Sequence, residues 1–222
     1  MTKEENRKRI ADVGIIPVVR ASSPQQALLA AEAVCAGGIP IVEVTMTVPG
    51  AIEVIGQLAK TAGKEVLVGA GTVLDADTAQ RCLDAGAEFL VSPGFDLLTV
   101  KLAKEKRILV IAGALTPTEI ITAWKAGSDL VKIFPCGTVG GAKYIKALKG
   151  PLPQVPMVPT GGVNLDTAAD FILAGAEALG VGGELVSASA LKSGKTNEIT
   201  EAARRFVAIV REARQQIAAK ST

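Results

Sequence analysis

Two charged residues stand inside runs that are otherwise apolar. Lys132 lies within Leu130–Phe134, and Glu43 lies within Ile41–Thr45. A lysine taken out of water either pairs with an acid or loses its proton, and the neutral amine is a nucleophile that attacks carbonyl groups to form a Schiff base. A carboxylate near such an amine can transfer protons. The two residues therefore predict Schiff-base chemistry, with Lys132 as the nucleophile and Glu43 as the general acid and base.

The same two residues also have a purely structural interpretation. A lysine at the end of a strand can extend its amine to solvent, or it can form an ion pair with a buried acid that has no catalytic role. The residue types alone leave this alternative open for Lys132 and Glu43.

Histidine is absent from the chain, which excludes several mechanisms. A Ser-His or Cys-His nucleophile, a histidine-ligated zinc site and an imidazole base all require this residue. The cysteines Cys35, Cys82 and Cys136 are odd in number and lack a Cys-x-x-Cys spacing, so no disulfide framework or thiolate metal site is indicated. Acid and base chemistry must therefore come from Glu, Asp, Lys, Tyr or water.

Composition indicates a large aliphatic core. Among the 222 residues 49% are hydrophobic but only 3% are aromatic, which is typical of parallel strands covered by alanine-rich helices. The net charge is +2 with both signs interspersed, so a nucleic-acid partner is not expected. No apolar run reaches the roughly 18 residues of a membrane span, and the polar start Thr2–Arg9 does not resemble a secretion signal. These features predict a cytoplasmic protein without a membrane partner.

Eight short apolar runs rich in β-branched residues recur along the chain. Their spacing of about twenty to twenty-six residues matches one strand and one helix per repeat. The predicted strands are Ile15–Arg20, Ile41–Thr45, Val66–Gly69, Phe89–Ser92, Ile108–Ile111, Leu130–Phe134, Pro156–Pro159 and Ala178–Gly182. The predicted helices between them are Pro24–Cys35, Ala51–Ala62, Ala76–Ala85, Leu97–Lys106, Pro117–Ala126, Gly141–Leu148 and Leu165–Ala174.

An Ala-Gly pair recurs where four of the predicted helices end, at Ala36, Ala85, Ala126 and Ala174, because glycine tolerates a left-handed helix end. The pattern predicts an α/β fold, a (β/α)8 TIM barrel that forms a single domain over residues 1–222. A leading helix is expected at Met1–Gly14, and a last helix at Glu198–Ala219 closes the barrel. The alternative, a doubly wound sheet, requires a glycine fingerprint after the first strand, and Arg20–Ser23 is not one.

In a barrel of this kind the chemistry gathers where the strands end. Besides Lys132 and Glu43, the strand ends carry polar and glycine-rich segments. The turns at Gly161-Gly162 and Gly182-Gly183 follow the last two strands, where barrels commonly bind phosphate through backbone N–H groups. Each pair alone is equally well explained by a tight turn, but together they favour a phosphate site.

Five segments resemble the 2-keto-3-deoxy-6-phosphogluconate (KDPG) and 4-hydroxy-2-oxoglutarate aldolase family, in the same order and spacing over essentially the whole chain. They are Val42–Thr45, Val68–Val73, Val91–Gly94, Val131–Pro135 and Val158–Val163. The resemblance implies a class I, metal-free Schiff-base aldolase without a cofactor, commonly a homotrimer. Such an enzyme of carbohydrate metabolism, in the Entner-Doudoroff route, cleaves the phosphorylated keto acid to pyruvate and glyceraldehyde 3-phosphate.

The resemblance also implies roles for individual residues. Lys132 would form the Schiff base, Glu43 would be the acid and base, Thr72 would contact the pyruvate carboxylate, and Thr160 would line the pocket. The substrate-binding set that it implies comprises Arg20, Thr45, Thr47, Thr72, Pro93, Phe134, Thr160, Gly161, Gly162, Gly182 and Gly183.

This chain departs from the family pattern at two positions. Many members have an arginine where this chain has Thr47, so we expect Arg20 to supply the missing charge from the first strand. A serine often follows the glycine that matches Gly182, whereas here Gly183-Glu184 removes a hydroxyl and adds a negative charge near the expected phosphate. Alternative substrates are therefore 4-hydroxy-2-oxoglutarate and 2-keto-3-deoxy-6-phosphogalactonate. Less favoured alternatives are a phosphate-binding barrel isomerase and a non-catalytic assembly subunit.

Overall fold

The computed structural model describes residues 2–63 and 65–220, and these form eight parallel strands that alternate with helices in a nearly closed barrel. The strands are β1 Ile15–Val19, β2 Ile41–Thr45, β3 Leu67–Gly71, β4 Phe89–Val91, β5 Leu109–Ala114, β6 Leu130–Ile133, β7 Met157–Pro159 and β8 Leu179–Val181. The helices are α1 Lys3–Val13, α2 Pro24–Ala36, α3 Ala51–Thr61, α4 Ala76–Asp84, α5 Leu97–Glu105, α6 Pro117–Ala126, α7 Ala142–Lys149, α8 Ala168–Leu173, α9 Ala188–Lys192 and α10 Thr196–Lys220.

The order of the strands confirms the predicted barrel. Each strand from β1 to β6 pairs in parallel with the next strand in the sequence, and β8 pairs with β1. A parallel bridge between Thr160 and Gly180 joins the ends of β7 and β8. The eight strands therefore follow one another around a ring, and the doubly wound open sheet is wrong. One bridge alone closes the ring between β7 and β8, so the barrel is nearly, rather than fully, continuous.

Helix starts follow the predicted local chemistry. The Ser23 hydroxyl accepts a hydrogen bond from the Gln26 amide at the start of α2. Thr116 and Glu119 form a capping box at the start of α6. Both helices have proline in their first turn, where the missing N–H would have no helical partner. The starts of α2 and α6 set where the loops that follow β1 and β5 end.

Two short helical segments were not predicted, and several element boundaries differ from the predicted ones by one to three residues. The 3-10 helix Cys136–Val139 and the helix α9 break up segments expected to be loops. Helix α8 begins at Ala168 instead of Leu165, because the Asn164 side chain accepts hydrogen bonds from the Thr167 and Asp166 amides at 2.9 Å and holds a turn there. Asparagine side chains compete with helical hydrogen bonding in this way.

The recurring Ala-Gly pairs end helices as predicted. Gly86, Gly127 and Gly175 have positive φ angles of 109°, 103° and 99°, whereas after Ala36 the positive φ of 92° belongs to the second glycine, Gly38. Each reverses the chain between a helix and the following strand, so the repeat in the sequence corresponds to a repeat in the backbone.

The core lies inside the barrel and between the barrel and its helices. Phe89 is fully buried in the interior, where a Cβ atom at Gly69 would lie 2.3 Å from its ring. On the outside, α10 packs against α2, with the Thr200 hydroxyl donating to the Ala33 carbonyl at 3.0 Å. Among the described helices, none has the length and apolar character needed to cross a membrane.

Candidate active site

Lys132 and Glu43 meet in the interior of the barrel. Lys132 lies on β6 and Glu43 on β2, and their side chains are only 4% and 2% exposed. The Lys132 Nζ atom is 4.0 Å from Glu43 Oε1. This distance is too long for a direct hydrogen bond but short enough for one substrate oxygen to contact both groups. The structure therefore brings the two predicted reactive residues together in a protected environment.

Burial controls the charge of Glu43. Desolvation raises the pKa of its carboxyl group above the ordinary value of 4.5, and the positive charges of Lys132 and Arg20 oppose this shift with smaller effects. Among the described residues, no group donates a hydrogen bond to Glu43 Oε1. A carboxyl group whose pKa is raised by burial is suited to carry protons near neutral pH.

Phe134 lies directly beside the lysine. Its ring centroid is 5.3 Å from Lys132 Nζ, within the range of a cation–π contact. The Phe134 amide donates to the Ala114 carbonyl at 3.0 Å, which extends the pairing of β5 and β6 by one residue. The aromatic ring therefore forms one wall next to the amine.

The end of β2 carries a pair of threonine hydroxyls. Thr45 is buried and donates to the Val19 carbonyl at 3.0 Å, and its hydroxyl oxygen is 2.7 Å from that of the exposed Thr47. The Thr45 proton is committed to Val19, so Thr47 donates to Thr45 and keeps its own oxygen as an acceptor. Thr47 thus adds a hydroxyl group, and no charge, to this end of the barrel.

Arg20 follows β1 and is exposed at the mouth of the barrel. One of its guanidinium nitrogens, NH1, lies 3.9 Å from the position of a Cβ atom on Gly182. Its charge also acts on Glu43. Arg20 therefore lies beside the β8 turn, and its charge also reaches the interior of the barrel.

Two further predicted residues lie in the loops after β3 and β4. Thr72 is half-buried and has a φ of 58°, which is rare for a β-branched residue and is typical of strained positions in functional sites. Pro93 is half-buried in a turn held by Ser92, whose hydroxyl donates to the Gly94 carbonyl at 2.6 Å and accepts from the Gly113 amide at 3.3 Å. Both loops face the same end of the barrel as Lys132.

The turn after β7 is built from glycines that approach the β6 loop closely. Thr160 is buried, and Gly161 and Gly162 have φ angles of 87° and 78°. The Gly137 amide donates to the Gly161 carbonyl at 2.9 Å, and a Cβ atom on Gly162 would lie 2.7 Å from the Gly137 Cα atom. Here glycine is required by both the backbone conformation and the close approach.

The turn after β8 differs from the turn after β7. The Leu185 and Val186 amides donate to the Gly182 carbonyl at 2.9 and 2.8 Å. Neither Gly182 nor Gly183 has a positive φ, and a Cβ atom on Gly183 would meet no described atom within 4 Å. Glu184 follows in this turn and is exposed. The β8 turn would therefore accept a side chain such as serine, and its two glycines leave space instead.

A cleft of about 710 Å³ opens beside this group of residues. Its lining includes Pro135, Gly161 and Gly162 from the β6 and β7 loops and Lys143 and Phe171 from the helices α7 and α8. Lys132 and Glu43 do not line this cleft, so the open space lies next to the reactive pair rather than over it. The cleft connects the β6 and β7 loops to the first turns of α7 and α8.

The sequence reasoning missed the strand glycines that contact the site. A Cβ atom on Gly71 would lie 2.1 Å from Glu43 Oε1, one on Gly113 would lie 2.2 Å from the Pro93 carbonyl carbon, and one on Gly180 would lie 2.1 Å from Thr160 Oγ1. Glycine inside a strand often marks a close approach, and this was the available signal. No cluster of three or more potential metal ligands (His, Cys, Asp or Glu) is present within residues 2–63 and 65–220.

Comparison with known proteins identifies the class as an enzyme, a lyase of the aldolase type. The family described as "Aldolase: KDPG and KHG aldolase" matches residues 6–202. The KHG/KDPG aldolase of Escherichia coli strain K12 is 37% identical over 194 residues, which cover 87% of this chain and 90% of that protein. The chain belongs to the KDPG and KHG aldolase family.

Solved structures agree with this membership. A KDPG aldolase from Legionella pneumophila, with pyruvate captured as a covalent carbinolamine intermediate, has a TM-score of 0.84 and 32% identity over 90% of this chain and 97% of that chain. A structure of native KDPGal has a TM-score of 0.84 and 31% identity over 90% and 96% of the two chains. A cube-shaped cage designed by fusing symmetric oligomeric domains has a TM-score of 0.85 and 30% identity over 94% of this chain and 76% of that chain.

Proposed function

We propose that this protein is a Schiff-base aldolase that cleaves 2-keto-3-deoxy-6-phosphogluconate to pyruvate and glyceraldehyde 3-phosphate. The observation that carries the proposal is the pair formed by Lys132 Nζ and Glu43 Oε1, which lie 4.0 Å apart and are almost fully buried. A buried amine next to a carboxyl group supplies both the nucleophile and the proton carrier that this reaction requires. The carbinolamine of pyruvate in the similar Legionella enzyme supports the same chemistry.

The cleavage proceeds through an imine on Lys132. The amine attacks the keto carbon, and the hydroxyl of the resulting carbinolamine takes a proton from the Glu43 carboxyl group and leaves as water, which gives a protonated imine and a Glu43 carboxylate. Glu43 then accepts the proton of the C4 hydroxyl while the C3–C4 bond breaks, which releases the aldehyde and leaves an enamine. Glu43 then gives its proton to C3 of the enamine, which restores the protonated imine. Water adds to this imine and returns a proton to Glu43, and the carbinolamine breaks down to pyruvate and the free amine.

The remaining side chains would bind the substrate around this pair. Thr72 and the Arg20 guanidinium would contact the keto-acid carboxylate, while Phe134 and Thr160 would line the carbon chain. The mouth residues Thr45, Thr47 and Pro93 would complete the pocket wall. The backbone amides of the β7 and β8 turns, at Gly161, Gly162, Gly182 and Gly183, would face the phosphate.

The single most direct test is reduction of the imine. Incubation with pyruvate and borohydride should add one reduced adduct per chain, and peptide mass spectrometry should locate it on Lys132. Lys132→Met is the negative control, and the exposed Lys101 and Lys146 are internal controls that should stay unmodified. An adduct on a lysine other than Lys132, or none at all, would remove the mechanism.

The identity of the substrate requires a separate test. The same chemistry would act on 4-hydroxy-2-oxoglutarate or on 2-keto-3-deoxy-6-phosphogalactonate, and similar proteins carry the names KHG/KDPG aldolase and KDPGal. Cleavage rates for the three substrates would separate these possibilities. A higher kcat/KM for the compound without phosphate would replace the proposed substrate with 4-hydroxy-2-oxoglutarate.

We also propose that the reaction is independent of metal ions and that the chains assemble. Because an imine acts as the electron sink, the reaction needs no metal ion, and activity should survive dialysis against a chelator. A homotrimer is proposed from the family resemblance, and the similar chain in the cage built from symmetric oligomeric domains supports self-association. Light scattering coupled to size-exclusion chromatography should give a mass of three chains.

A further inference from the structure

Gly71 is the residue of β3 that lies against the Glu43 carboxyl group. A Cβ atom built on Gly71 would lie 2.1 Å from Oε1, 2.6 Å from Cγ and 2.7 Å from Cδ of Glu43. Atoms of two unbonded side chains do not approach so closely, since the attractive separation of carbon atoms is about 3.5–4.0 Å. Any side chain at position 71 would therefore move the carboxyl group.

The backbone does not explain the glycine at this position. Gly71 is the last residue of β3 and pairs in register with Thr45, and it is not among the glycines with a positive φ. An alanine could adopt the same strand conformation. The space taken by Glu43 is thus the feature that requires glycine at position 71.

A second glycine on the same strand serves a different contact. Gly69 pairs with Glu43 along the strands, but a Cβ atom there would meet the ring of Phe89 at 2.3 Å and would not meet the carboxyl group. Gly69 therefore belongs to the packing of the core. Among the described glycines, Gly71 is the one whose added Cβ atom meets Glu43.

We infer that Gly71 is a positioning residue for the reaction, which makes room for the Glu43 carboxyl group at the place where Oε1 lies 4.0 Å from Lys132 Nζ. The inference rests on the proposed function, because it concerns the proton carrier of that reaction. Glu43 is 2% exposed, so a displaced carboxyl group has no solvent-filled space to enter and must shift within the site. A misplacement of about 1 Å at a reacting group can cost roughly 10²-fold in rate.

A double-mutant cycle tests this role. The variant Gly71→Ala should lower kcat by about 10²-fold with a small change in KM, because the methyl group displaces the acid and base rather than the substrate. In the Glu43→Ala background, which lacks the Cγ atom and the carboxyl group that the methyl group would meet, the same substitution should cost less than about 3-fold in the residual rate. A merely structural glycine would lower activity equally in both backgrounds.

Gly56→Ala is the matched control. Gly56 lies on α3, away from the barrel mouth, and a Cβ atom there would meet only the Ala85 carbonyl at an ordinary 3.6 Å. This variant should keep the native kcat. If Gly71→Ala alone fails to fold, the double variant with Glu43→Ala should fold, because the Cγ atom and the carboxyl group that cause the clash are absent. A double variant that also fails to fold overturns the inference.

The kinetic cycle and the pyruvate adduct together distinguish a failure of the positioning role of Gly71 from a failure of the proposed function. A wild-type enzyme that forms the pyruvate adduct on Lys132, together with near-native kcat in Gly71→Ala or equal losses in both backgrounds, would overturn the positioning role and leave the mechanism intact. A wild-type enzyme without the adduct would overturn the proposed function itself, and the positioning role would fall with it.

Discussion

The Glu43 Oε1 atom lies 4.0 Å from Lys132 Nζ inside the barrel, and within the described parts of the chain nothing donates a hydrogen bond to this oxygen. A buried polar atom without a partner is costly, so it is usually retained for a reason. In a carboxyl group that faces an amine, the unpartnered oxygen is free to accept a proton from a substrate hydroxyl. The geometry thus links the energetic cost of burying Glu43 to its proposed chemical role.

Replacing Glu43 by glutamine should separate imine formation from bond cleavage. The amide cannot carry the C4 hydroxyl proton, so Glu43→Gln should still form the pyruvate adduct slowly but lose roughly 10²-fold or more in the cleavage rate. Glu53→Gln, on the exposed part of α3, is the charge-matched control and should keep full activity. Near-native turnover of Glu43→Gln would assign the proton transfer to water or to the substrate.

The raised pKa of Glu43 predicts how stability depends on pH. Below the ordinary pKa of 4.5 the carboxyl group is protonated in both the folded and the unfolded chain, and its contribution to the free energy of unfolding is fully present. As pH rises toward the raised pKa of the folded state, the unfolded chain ionises more readily, so stability is lost. The variant Glu43→Gln cannot ionise, and its Tm should rise relative to wild type through this window. A difference in Tm that stays constant from pH 4 to pH 8 would contradict the prediction.

Glu184 tests the phosphate end of the site. This exposed residue follows Gly182-Gly183, and a carboxylate near a bound phosphate repels it. Glu184→Ala should lower KM for the phosphorylated keto acid by up to about 5-fold, since exposed charge interactions are worth at most about 1 kcal/mol. Cleavage of 4-hydroxy-2-oxoglutarate should hardly change, and the exposed Glu105→Ala serves as the control. An equal response of both substrates, or none, would mean that Glu184 faces away from the site.

Arg214 on α10 ties the last helix to the base of the barrel. Its guanidinium donates to the carbonyls of Ala11, Asp12 and Glu177, the last two at 2.6 and 3.2 Å. Losing charged hydrogen bonds of this kind costs about 1–3 kcal/mol, so Arg214→Ala should lower Tm by several degrees. The exposed Arg211→Ala is the matched control. Equal Tm values for the two variants would show that these contacts do not stabilise the fold.

Much of the architecture follows from local patterns in the sequence. Each strand could be predicted because β-branched runs alternate with helical periodicity, and the glycines that end the helices mark the junctions. Local hydrogen bonding is also where prediction failed, since the Asn164 side chain delays the start of α8 by three residues relative to Leu165. The short helix α9 carries too few residues for a period to be recognised.

The candidate site, like the fold, could be predicted only in part from the sequence. From the sequence alone Lys132 and Glu43 stand out as candidate residues, because a charge inside an apolar strand needs either a partner or a function. The packing of the barrel sets the separation of their atoms, the position of Arg20 beside Gly182, and the contact between Gly71 and the carboxyl group. These relationships depend on strand register and on closure of the barrel, which set residues from distant parts of the chain side by side at distances that no local pattern encodes.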